Sequence, residues 1–308
     1  MTDLLIGGSG FVGRNLARRL AARGRDVVVL DRVPDSTRTF DGECVLGDAQ
    51  DVDLLIELLE RVRPETVYHL AANSDIQAGV TNAALDFGDT LMTTVSLRSA
   101  LSAQPVERLV FASSSAIFGV SMRPLAETTA EPPAPVSWYG KAKLTSEFVL
   151  ESLAASQPDL PILIVRFPNV VGPLATHGVV YDFVRRLRVD PTRLEVLGDG
   201  NQTKPYVHVD ELIDGISFFL KDLPPGIRRV NIGPMDATDV KTIVREVTGT
   251  MGLNPEVTYQ DSPCGWPGDV PRYSFDTSKM RREGFAIDTT SQEAVRRAAA
   301  DLVAEMAE

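Results

Sequence analysis

The chain has 308 residues, 44% of them hydrophobic, which is enough for one large domain or for a domain with a smaller lobe. Its formal net charge of −11 disfavours binding to nucleic acid or to an anionic membrane surface. No apolar run approaches the roughly 20 residues of a membrane span, and the chain begins with a strand-like run instead of a signal peptide. Its two cysteines, Cys44 and Cys264, have no metal-like neighbours, so we expect a cytoplasmic protein without a bound metal.

The start of the chain carries the clearest pattern. An apolar run ends at Gly7, Gly10 and Gly13 follow at the start of a helical pattern, and a second apolar run ends at Asp31. Such glycines allow a tight turn, the approach of a pyrophosphate and close helix packing, while the helix N-terminus attracts phosphates. Asp31 is placed to accept hydrogen bonds from an adenosine ribose. The pattern therefore predicts a dinucleotide site; Asp31 favours NAD because it repels a 2′-phosphate, and Arg32 leaves NADP open as the lesser alternative.

Strand-like and helical runs alternate through the first half of the chain. This alternation indicates βαβ units, which build a parallel sheet with helices on both faces. Strands are predicted at Leu4–Ile6, Val27–Leu30, Glu43–Leu46, Thr66–His69, Arg108–Ala112 and Pro161–Val165, with helices at 11–23, 51–62, 82–104 and 137–156. Because ligands bind at the carboxyl ends of such strands, the informative residues should follow each strand directly.

The pattern becomes looser after about Asn169. Helices are predicted at 176–188, 209–221, 238–250 and 291–306, among short strands and proline-rich turns, with loops at 116–136 and 261–272. The sequence therefore predicts an α/β fold in two parts. Residues 1–168 would form a Rossmann-type doubly wound parallel sheet that binds NAD. Residues 169–308 would form a smaller mixed α/β lobe that binds the substrate, with some segments returning to the main sheet.

Tyr139 and Lys143 lie four residues apart at the start of a predicted helix, so both side chains can point into one site. A nearby ammonium group stabilises phenolate, which predicts a pKa for Tyr139 below its usual value of about 10 and a role as a general base. Ser113, Ser114 and Ser115 follow a predicted strand. A serine hydroxyl there can hydrogen-bond a substrate hydroxyl and pass its proton towards the tyrosinate.

Taken as an ordered set, these motifs resemble the extended short-chain dehydrogenase/reductase family, and the likeness covers nearly the whole chain. It is closest to compact, archaeal-type UDP-galactose (UDP-glucose) 4-epimerases. The motifs are Gly7-x-x-Gly10-x-x-Gly13, Asp31, His69-Leu-Ala-Ala72, Ser113-Ser114-Ser115, Tyr139-x-x-x-Lys143, Arg166-Phe-Pro-Asn169-Val-Val-Gly-Pro173, Gly198-Asp-Gly200-x-Gln202, Tyr206-Val-His-Val-Asp210 and Gly265-Trp-Pro-Gly-Asp-Val270.

The resemblance implies a role for each matching residue. The catalytic residues would be Ser114, Tyr139 and Lys143. The residues that bind NAD would be Gly7, Gly10, Phe11, Val12, Gly13, Asp31, Arg32, Asp48, Ala49, Leu70, Ala71, Ala72, Ser113, Tyr139, Lys143 and Pro168. The residues that bind a nucleotide-diphosphate sugar, first of all a UDP-hexose, would be Ser74, Ser114, Ser115, Asn169, His177, Val180, Lys204, Tyr206, Trp266 and Asp269. The family also implies a homodimer formed through helices 82–104 and 137–156.

The residues after Ser114 narrow the reaction that the resemblance implies. Related dehydratases carry an Asp-Glu pair there and related decarboxylases a glutamate, whereas this chain has Ser115 and Ala116. A 4-epimerase is therefore expected, acting through a 4-keto sugar and hydride return to the opposite face. Three alternatives stay open: a nucleotide-sugar 4-keto-reductase, an epimerase acting on another NDP-sugar, and a regulatory protein that binds NAD without catalysis.

The chain departs from the family pattern at some positions. Lys204 stands where many relatives have arginine, and Trp266 stands where many have a second phosphate-binding arginine. These changes bear on the sugar and the nucleotide more than on the chemistry. Glu147 and Glu151, further along the helix that carries Lys143, are predicted to face solvent.

Overall fold

The structure is a computed structural model that describes residues 1–34, 40–121, 123–128, 133–266 and 269–307. Parts of the two predicted loops, at 122, 129–132 and 267–268, lie outside these ranges. The chain divides into two compact units, each made of three segments. The first unit comprises Met1–Ile117, Pro135–Arg166 and Ile216–Val230, and the second comprises Phe118–Ala134, Phe167–Gly215 and Asn231–Glu308.

The strands and helices alternate along the chain much as the apolar patterns predict. The strands are β1 Thr2–Ile6, β2 Asp26–Asp31, β3 Glu43–Leu46, β4 Thr66–His69, β5 Arg108–Ala112, β6 Pro161–Arg166, β7 Asn169–Val171, β8 Arg193–Val196, β9 Thr203–Lys204, β10 Tyr206–His208, β11 Gly226–Asn231, β12 Thr238–Asp239 and β13 Glu256–Tyr259. The helices are α1 Phe11–Ala22, α2 Val52–Val62, α3 Ile76–Thr81, α4 Ala83–Asp86, α5 Thr93–Ala103, α6 Trp138–Ser156, α7 Val179–Val189, α8 Val209–Lys221, α9 Val240–Met251, α10 Ser278–Arg282 and α11 Ser291–Glu305.

A seven-stranded sheet organises the first unit, in the order β11-β6-β5-β4-β1-β2-β3. Strand β1 pairs in parallel with β2 on one side, Leu4 facing Val28, and with β4 on the other, Leu4 facing Val67. The chain thus moves one way through β2 and β3 and the other way through β4, β5 and β6. This reversal confirms the predicted doubly wound sheet, and it opens a crevice at the carboxyl ends of β1 and β4, where ligands bind in such folds.

The central strands of this sheet are buried on both faces, which explains why they read as continuous apolar runs instead of alternating ones. In β1, Leu4, Leu5 and Ile6 are all fully buried although successive side chains point to opposite faces. Leu4 and Ile6 pack in a cluster with Leu97 and Ala100 of α5 and with other apolar residues of the unit. The burial therefore follows directly from helices covering the sheet.

The second unit has its own core, centred on helices α7, α9 and α11. Val184, Val244 and Val295 from these helices are buried together with Leu194 of β8. Short strand pairs, β10 with β7, β12 with β9 and β13 with β8, complete the unit. Within the described ranges, no helix is both long and apolar enough to cross a lipid bilayer.

The predicted helix 82–104 is interrupted in the structure. Asn82 caps the short helix α4 by accepting a hydrogen bond from Ala84 N at 3.2 Å, and Phe87–Met92 then form a π-helical turn before α5 begins. Thr93 and Thr94 donate their hydroxyl groups to the carbonyl oxygen of Thr90, at 3.0 and 3.1 Å. Such side-chain bonds compete with the regular helix ladder, and apolar periodicity does not report them.

Candidate active site

The glycine-rich turn after β1 leaves no room for larger residues at two of its three positions. Gly7 has a φ of +82°, and a Cβ atom there would lie 2.5 Å from Ala71 N. A Cβ at Gly13 would lie 2.6 Å from Gly8 Cα, so helix α1 approaches the turn as the spacing predicts. A Cβ at Gly10 would meet only Gly7 O, at 3.5 Å, which leaves the start of α1 open on that side.

The same turn fits the phosphates and ribose of a dinucleotide. Gly10 precedes α1 without a side-chain cap, and the first turn of the helix contains no acidic residue, so its N–H groups can face an anion. The buried Ser9 Oγ makes no hydrogen bond within the described residues. Asp31 accepts bonds from Ser9 N at 2.9 Å and from Val33 N at 3.1 Å, which holds its carboxylate beside the turn.

Other residues predicted to bind the cofactor lie at the ends of neighbouring strands. Leu70 N and Ala71 N, after β4, both donate to the carbonyl oxygen of Ile6, at 2.8 and 2.9 Å. Asp48, after β3, accepts a bond from Gln50 N at 2.9 Å. Also placed in the first unit are Phe11 and Val12 at the start of α1, Ala49, Ala72 and Arg32. Because these strands are parallel, their carboxyl ends lie along the same edge of the sheet.

Helix α6 carries Tyr139 and approaches the end of β5 very closely. Ser137 caps the helix by accepting a hydrogen bond from Gly140 N at 3.0 Å. A Cβ at Gly140 would lie 2.3 Å from the carbonyl oxygen of Ala116. This approach brings the side chains of Ser114 and Tyr139 into a hydrogen bond with each other. The predicted serine and tyrosine are therefore joined.

Lys143 lies one turn further along α6 and is almost completely buried. Its Nζ donates to the carbonyl oxygen of Ala112 at 2.6 Å, and it lies 4.8 Å from the Phe111 ring centroid and 5.9 Å from that of Tyr139. Burial lowers the pKa of Lys143 to about 7, although the charge of Glu147 acts in the opposite direction. The lysine therefore shares one site with the tyrosine.

The prediction that the pKa of Tyr139 is lowered is wrong when only the protein's own groups act on it. Burial raises the pKa of Tyr139 to about 12, although the hydrogen bond with Ser114 lowers it, and the charge of Asp86 raises it further. The ammonium group of Lys143 bonds the carbonyl of Ala112 and does not offset this burial. The phenol is consequently neutral at neutral pH.

The predicted exposure of Glu147 is also wrong. Its side chain is buried and accepts hydrogen bonds from Ser113 Oγ at 2.6 Å, from Arg166 Nε and Nη2 at 3.0 and 2.7 Å, and from Arg229 Nε at 3.3 Å. Burial raises the pKa of Glu147, but the hydrogen bond and charge of Arg166 outweigh it, so the pKa lies below its usual value. Glu151 is about half exposed, with 49% of its side-chain area accessible, as predicted.

The helical spacing of α6 indicates why Glu147 is buried and Glu151 is exposed. Residues four apart on an α-helix are offset by about 40° around its axis. Glu147 is one such step from Lys143 and stays on the inward face, whereas Glu151 is a second step away and reaches the surface. The spacing after Lys143 indicates the buried residue, but the arginines that compensate its charge come from distant strands.

Sequence reasoning also missed Asp86, which ends α4 and lies beside the start of α6. Its buried carboxylate accepts a hydrogen bond from Asn73 Nδ2 at 2.9 Å and another from the backbone of Tyr139. Burial raises the pKa of Asp86, and these bonds only partly offset it. His69 is also buried, with Nε2 2.9 Å from Thr94 Oγ1, and burial lowers its pKa to about 3. No periodic pattern marks Asp86 as buried.

Several of the residues predicted to bind substrate belong to the second unit. Asn169, at the start of β7, donates its amide to Pro205 O and to Tyr273 Oη, both at 3.2 Å. Lys204 pairs with Asp269 at 2.5 Å, so two predicted substrate residues neutralise each other. The cation expected to meet a phosphate is therefore already partnered.

The remaining predicted residues differ in exposure. Tyr206 and Val180 are buried, and burial raises the pKa of Tyr206. Trp266 is half-buried, and its carbonyl oxygen accepts a bond from Asp269 N at 3.1 Å. His177 is exposed beside Thr176, with 3.1 Å between Nδ1 and the threonine Oγ1. Pro168 lies in the second unit, whereas Ser74 (exposed) and Ser115 (half-buried) lie in the first.

Comparison with known proteins gives a consistent result. The profile of the NAD-dependent epimerase/dehydratase family matches residues 4–233. The UDP-glucose 4-epimerase of Mycolicibacterium smegmatis is 30% identical over 298 residues, which cover 91% of each chain. A crystal structure of UDP-galactose 4-epimerase superposes with a TM-score of 0.86 at 29% identity, covering 99% of this chain and all of that one. The Thermus thermophilus UDP-glucose 4-epimerase in complex with NAD gives 0.86 at 28% identity, covering 98% and 99%.

Replacement of Gly140 should disturb the approach of α6 to the end of β5. We expect Gly140→Ala to lower the free energy of unfolding by about 1–3 kcal/mol, because the added methyl group overlaps a backbone oxygen. Gly249→Ala is the matched control, since a Cβ there meets nothing within 4 Å in helix α9. The control should gain up to about 1 kcal/mol from helix propensity. Equal urea-denaturation midpoints for Gly140→Ala and the unchanged chain would contradict the packing argument.

Removal of the Glu147 charge should be far more costly than removal of the Glu151 charge. Glu147→Gln leaves Arg166 buried without full compensation, so we expect a loss of about 3 kcal/mol at pH 7, against less than about 1 kcal/mol for Glu151→Gln. The folded-state pKa of Glu147 is depressed, so its contribution is present above the unfolded value of about 4.3 and disappears as the pH falls through the folded value. Denaturant titrations that give both variants equal stability at pH 7 would refute this account.

Proposed function

The chain belongs to the NAD-dependent epimerase/dehydratase family, and we propose that within it the chain is a nucleotide-sugar 4-epimerase of the UDP-glucose/UDP-galactose type. One observation carries the proposal: Tyr139 is hydrogen-bonded to Ser114 in a site shared with the buried Lys143. Membership confirms the expected Rossmann-type enzyme and its cofactor, NAD. The names of relatives that match almost the whole chain support UDP-hexoses as substrates.

The side chains of the site divide the proton chemistry between them. Bound NAD would supply the acceptor for a hydride from sugar C4, the donor that returns it, and the positive charge of an oxidised ring. A positive charge near a buried phenol favours its ionised form. In that form Tyr139 takes the proton of the 4-hydroxyl group, and it gives the proton back when the hydride returns. Ser114 bridges the sugar hydroxyl and the tyrosine. Lys143 ties α6, which carries Tyr139, to the end of β5 through its hydrogen bond to the carbonyl of Ala112.

The residues around Ser114 favour epimerisation over elimination or decarboxylation. Ser115 and Ala116 occupy the positions where those reactions would need a carboxylate. Glu147 is a buried acid on α6, the helix that carries Tyr139. Its oxygens already accept hydrogen bonds from Arg166, Arg229 and Ser113. Transfer of a proton by Tyr139 therefore accounts for the chemistry without a second acid.

The substrate residues of the second unit belong to the same proposal. We assign the diphosphate to Asn169 and Lys204 and the nucleotide to the neighbourhood of Tyr206, Val180 and Trp266. Lys204 binds phosphate as a point charge without the two-pronged geometry of arginine. Its ammonium group has three N–H donors, so it can bond a phosphate while it is paired with Asp269.

We also propose that the protein is a homodimer and that it is cytoplasmic, as the sequence predicts. Exposed apolar side chains lie on the π-helical turn and on α6, among them Met92, Trp138 and Phe148. Phe87 and Trp138 also contact each other, with ring centroids 5.8 Å apart. An apolar face of this kind supports burial against a second copy of the chain.

The function is tested by proton NMR of the purified protein with UDP-glucose, UDP-galactose and their N-acetyl and uronate counterparts, with no cofactor added. Interconversion within any 4-epimer pair supports epimerisation and names the sugar class. If no pair interconverts, and the protein instead oxidises added NADH stoichiometrically with a 4-keto sugar nucleotide, the 4-keto-reductase alternative is correct.

Tyr139→Phe removes the proton acceptor while keeping the ring. We expect turnover to fall by about 10²–10⁴-fold, the usual contribution of a general acid/base, in a protein that remains folded. Tyr259→Phe on β13 is the control, because that tyrosine is exposed and contacts Lys241 instead of the serines. Turnover of Tyr139→Phe equal to that of the control would disprove the assigned base.

A further inference from the structure

We propose that Asp89 is a specificity-determining residue for the cofactor, because it holds Arg32 in an ion pair and thereby excludes a dinucleotide with a 2′-phosphate. The inference concerns the adenosine end of the site. It depends on the family's use of NAD and not on the proposed sugar chemistry, so it can be tested without a sugar substrate.

Arg32 directly follows Asp31 at the end of β2, where a cation could meet a phosphate on the adenosine ribose. Its guanidinium group instead faces Asp89, with Nη1 donating to Oδ1 at 3.0 Å and Nη2 lying 2.9 Å from Oδ2. Two parallel bonds of this kind fix the direction of a guanidinium as well as its partner. The side chain of Asp89 is only 20% exposed and that of Arg32 52% exposed, so the acid is the more enclosed member of the pair.

The position of Asp89 is itself held from several sides. It belongs to the π-helical turn Phe87–Met92, a feature often found at functional sites. Thr93 Oγ1 donates to the carbonyl oxygen of Asp89 at 3.3 Å, and the buried Thr90 next to it accepts a bond from Asn73 N at 3.1 Å. The interrupted helix therefore presents the carboxylate of Asp89 to the end of β2.

The charges around Arg32 favour a neutral ribose over a phosphorylated one. The hydrogen bond with Asp89 raises the pKa of Arg32, and the charges of Asp89, Asp48 and Asp31 raise it further, so all three carboxylates lie within electrostatic reach. One guanidinium among three carboxylates leaves the region negative. A phosphate monoester would add about −1.5 to −2 charges at neutral pH. A 2′-hydroxyl group, by contrast, can donate to Asp31 without an electrostatic cost.

This arrangement accounts for the choice that the sequence leaves open. The sequence places an acid and a base side by side at the position that distinguishes NAD from NADP. In the structure the guanidinium donors of Arg32 face Asp89, so they do not face a phosphate on the ribose. Loss of the Asp89 charge should therefore release Arg32 to a 2′-phosphate while Asp31 still accepts bonds from the ribose.

The test is equilibrium dialysis of the purified protein against equimolar NAD and NADP, followed by chromatographic measurement of the retained nucleotides. Asp89→Asn should raise the ratio of retained NADP to NAD about tenfold or more. Glu60→Gln, which removes an equal charge from an exposed position on α2, should leave the ratio unchanged. Arg32→Met combined with Asp89→Asn should abolish the gain, and Arg32→Met alone should gain no NADP.

An unchanged ratio in Asp89→Asn would overturn the proposal, as would a gain that persists in the double variant. Equal loss of both nucleotides in Asp89→Asn would also overturn it, because Asp89 would then support the fold and not the selection. Increased NADP retention by Arg32→Met alone would do the same, and this variant keeps the test decisive if Asp89→Asn fails to fold. A protein without epimerase activity can still pass, so the two proposals fail separately.

Discussion

The carboxylate of Glu147 is the charge on which the part of the first unit that carries Tyr139 and Lys143 depends. A carboxylate removed from water is tolerated only when cations and hydrogen bonds replace its hydration. Here the replacements come from Ser113 after β5, Arg166 on β6 and Arg229 on β11, while Glu147 itself lies on α6. Three neighbouring strands and one helix are therefore fixed relative to a single buried charge. Lys143 lies one turn before Glu147 on α6, so the contacts that fix Glu147 also fix the position of Lys143.

Tyr139 and Lys143 differ from Glu147 in that burial shifts their pKa values towards the neutral forms. Burial raises the pKa of Tyr139 to about 12 and lowers that of Lys143 to about 7. Neutral groups cost less to bury than charged ones, which is why Lys143 is tolerated between the Phe111 ring and the carbonyl of Ala112. The phenol of Tyr139 therefore ionises near neutral pH only when positive charge is brought to it.

The sequence was most informative where the physical requirement is local. Gly7 and Gly13 could be predicted because a turn and a helix contact demand glycine whatever lies further away, and Tyr139 and Lys143 because four residues make one helical turn. Glu147 was assigned to solvent because its partners lie on strands that periodicity does not connect to α6.

The interrupted helix around 82–104 escaped prediction for a related reason. Threonine hydroxyls, such as that of Thr94, divert carbonyl groups without altering the apolar pattern. The burial of Asp86 beside α6 and the pairing of Arg32 with Asp89 follow from that interruption. They could not be derived before the path of the segment was known. Roles that depend on side chains meeting across elements therefore required the structure.

The central claim is that oxidation and reduction take place at one sugar carbon within a single binding event. The most direct measurement uses UDP-glucose deuterated at C4, incubated with the protein in ordinary water and without added cofactor. The account predicts that the UDP-galactose formed retains deuterium at C4, because the abstracted hydride returns to the same carbon. Product carrying protium at C4 would show exchange with solvent, and it would contradict the account.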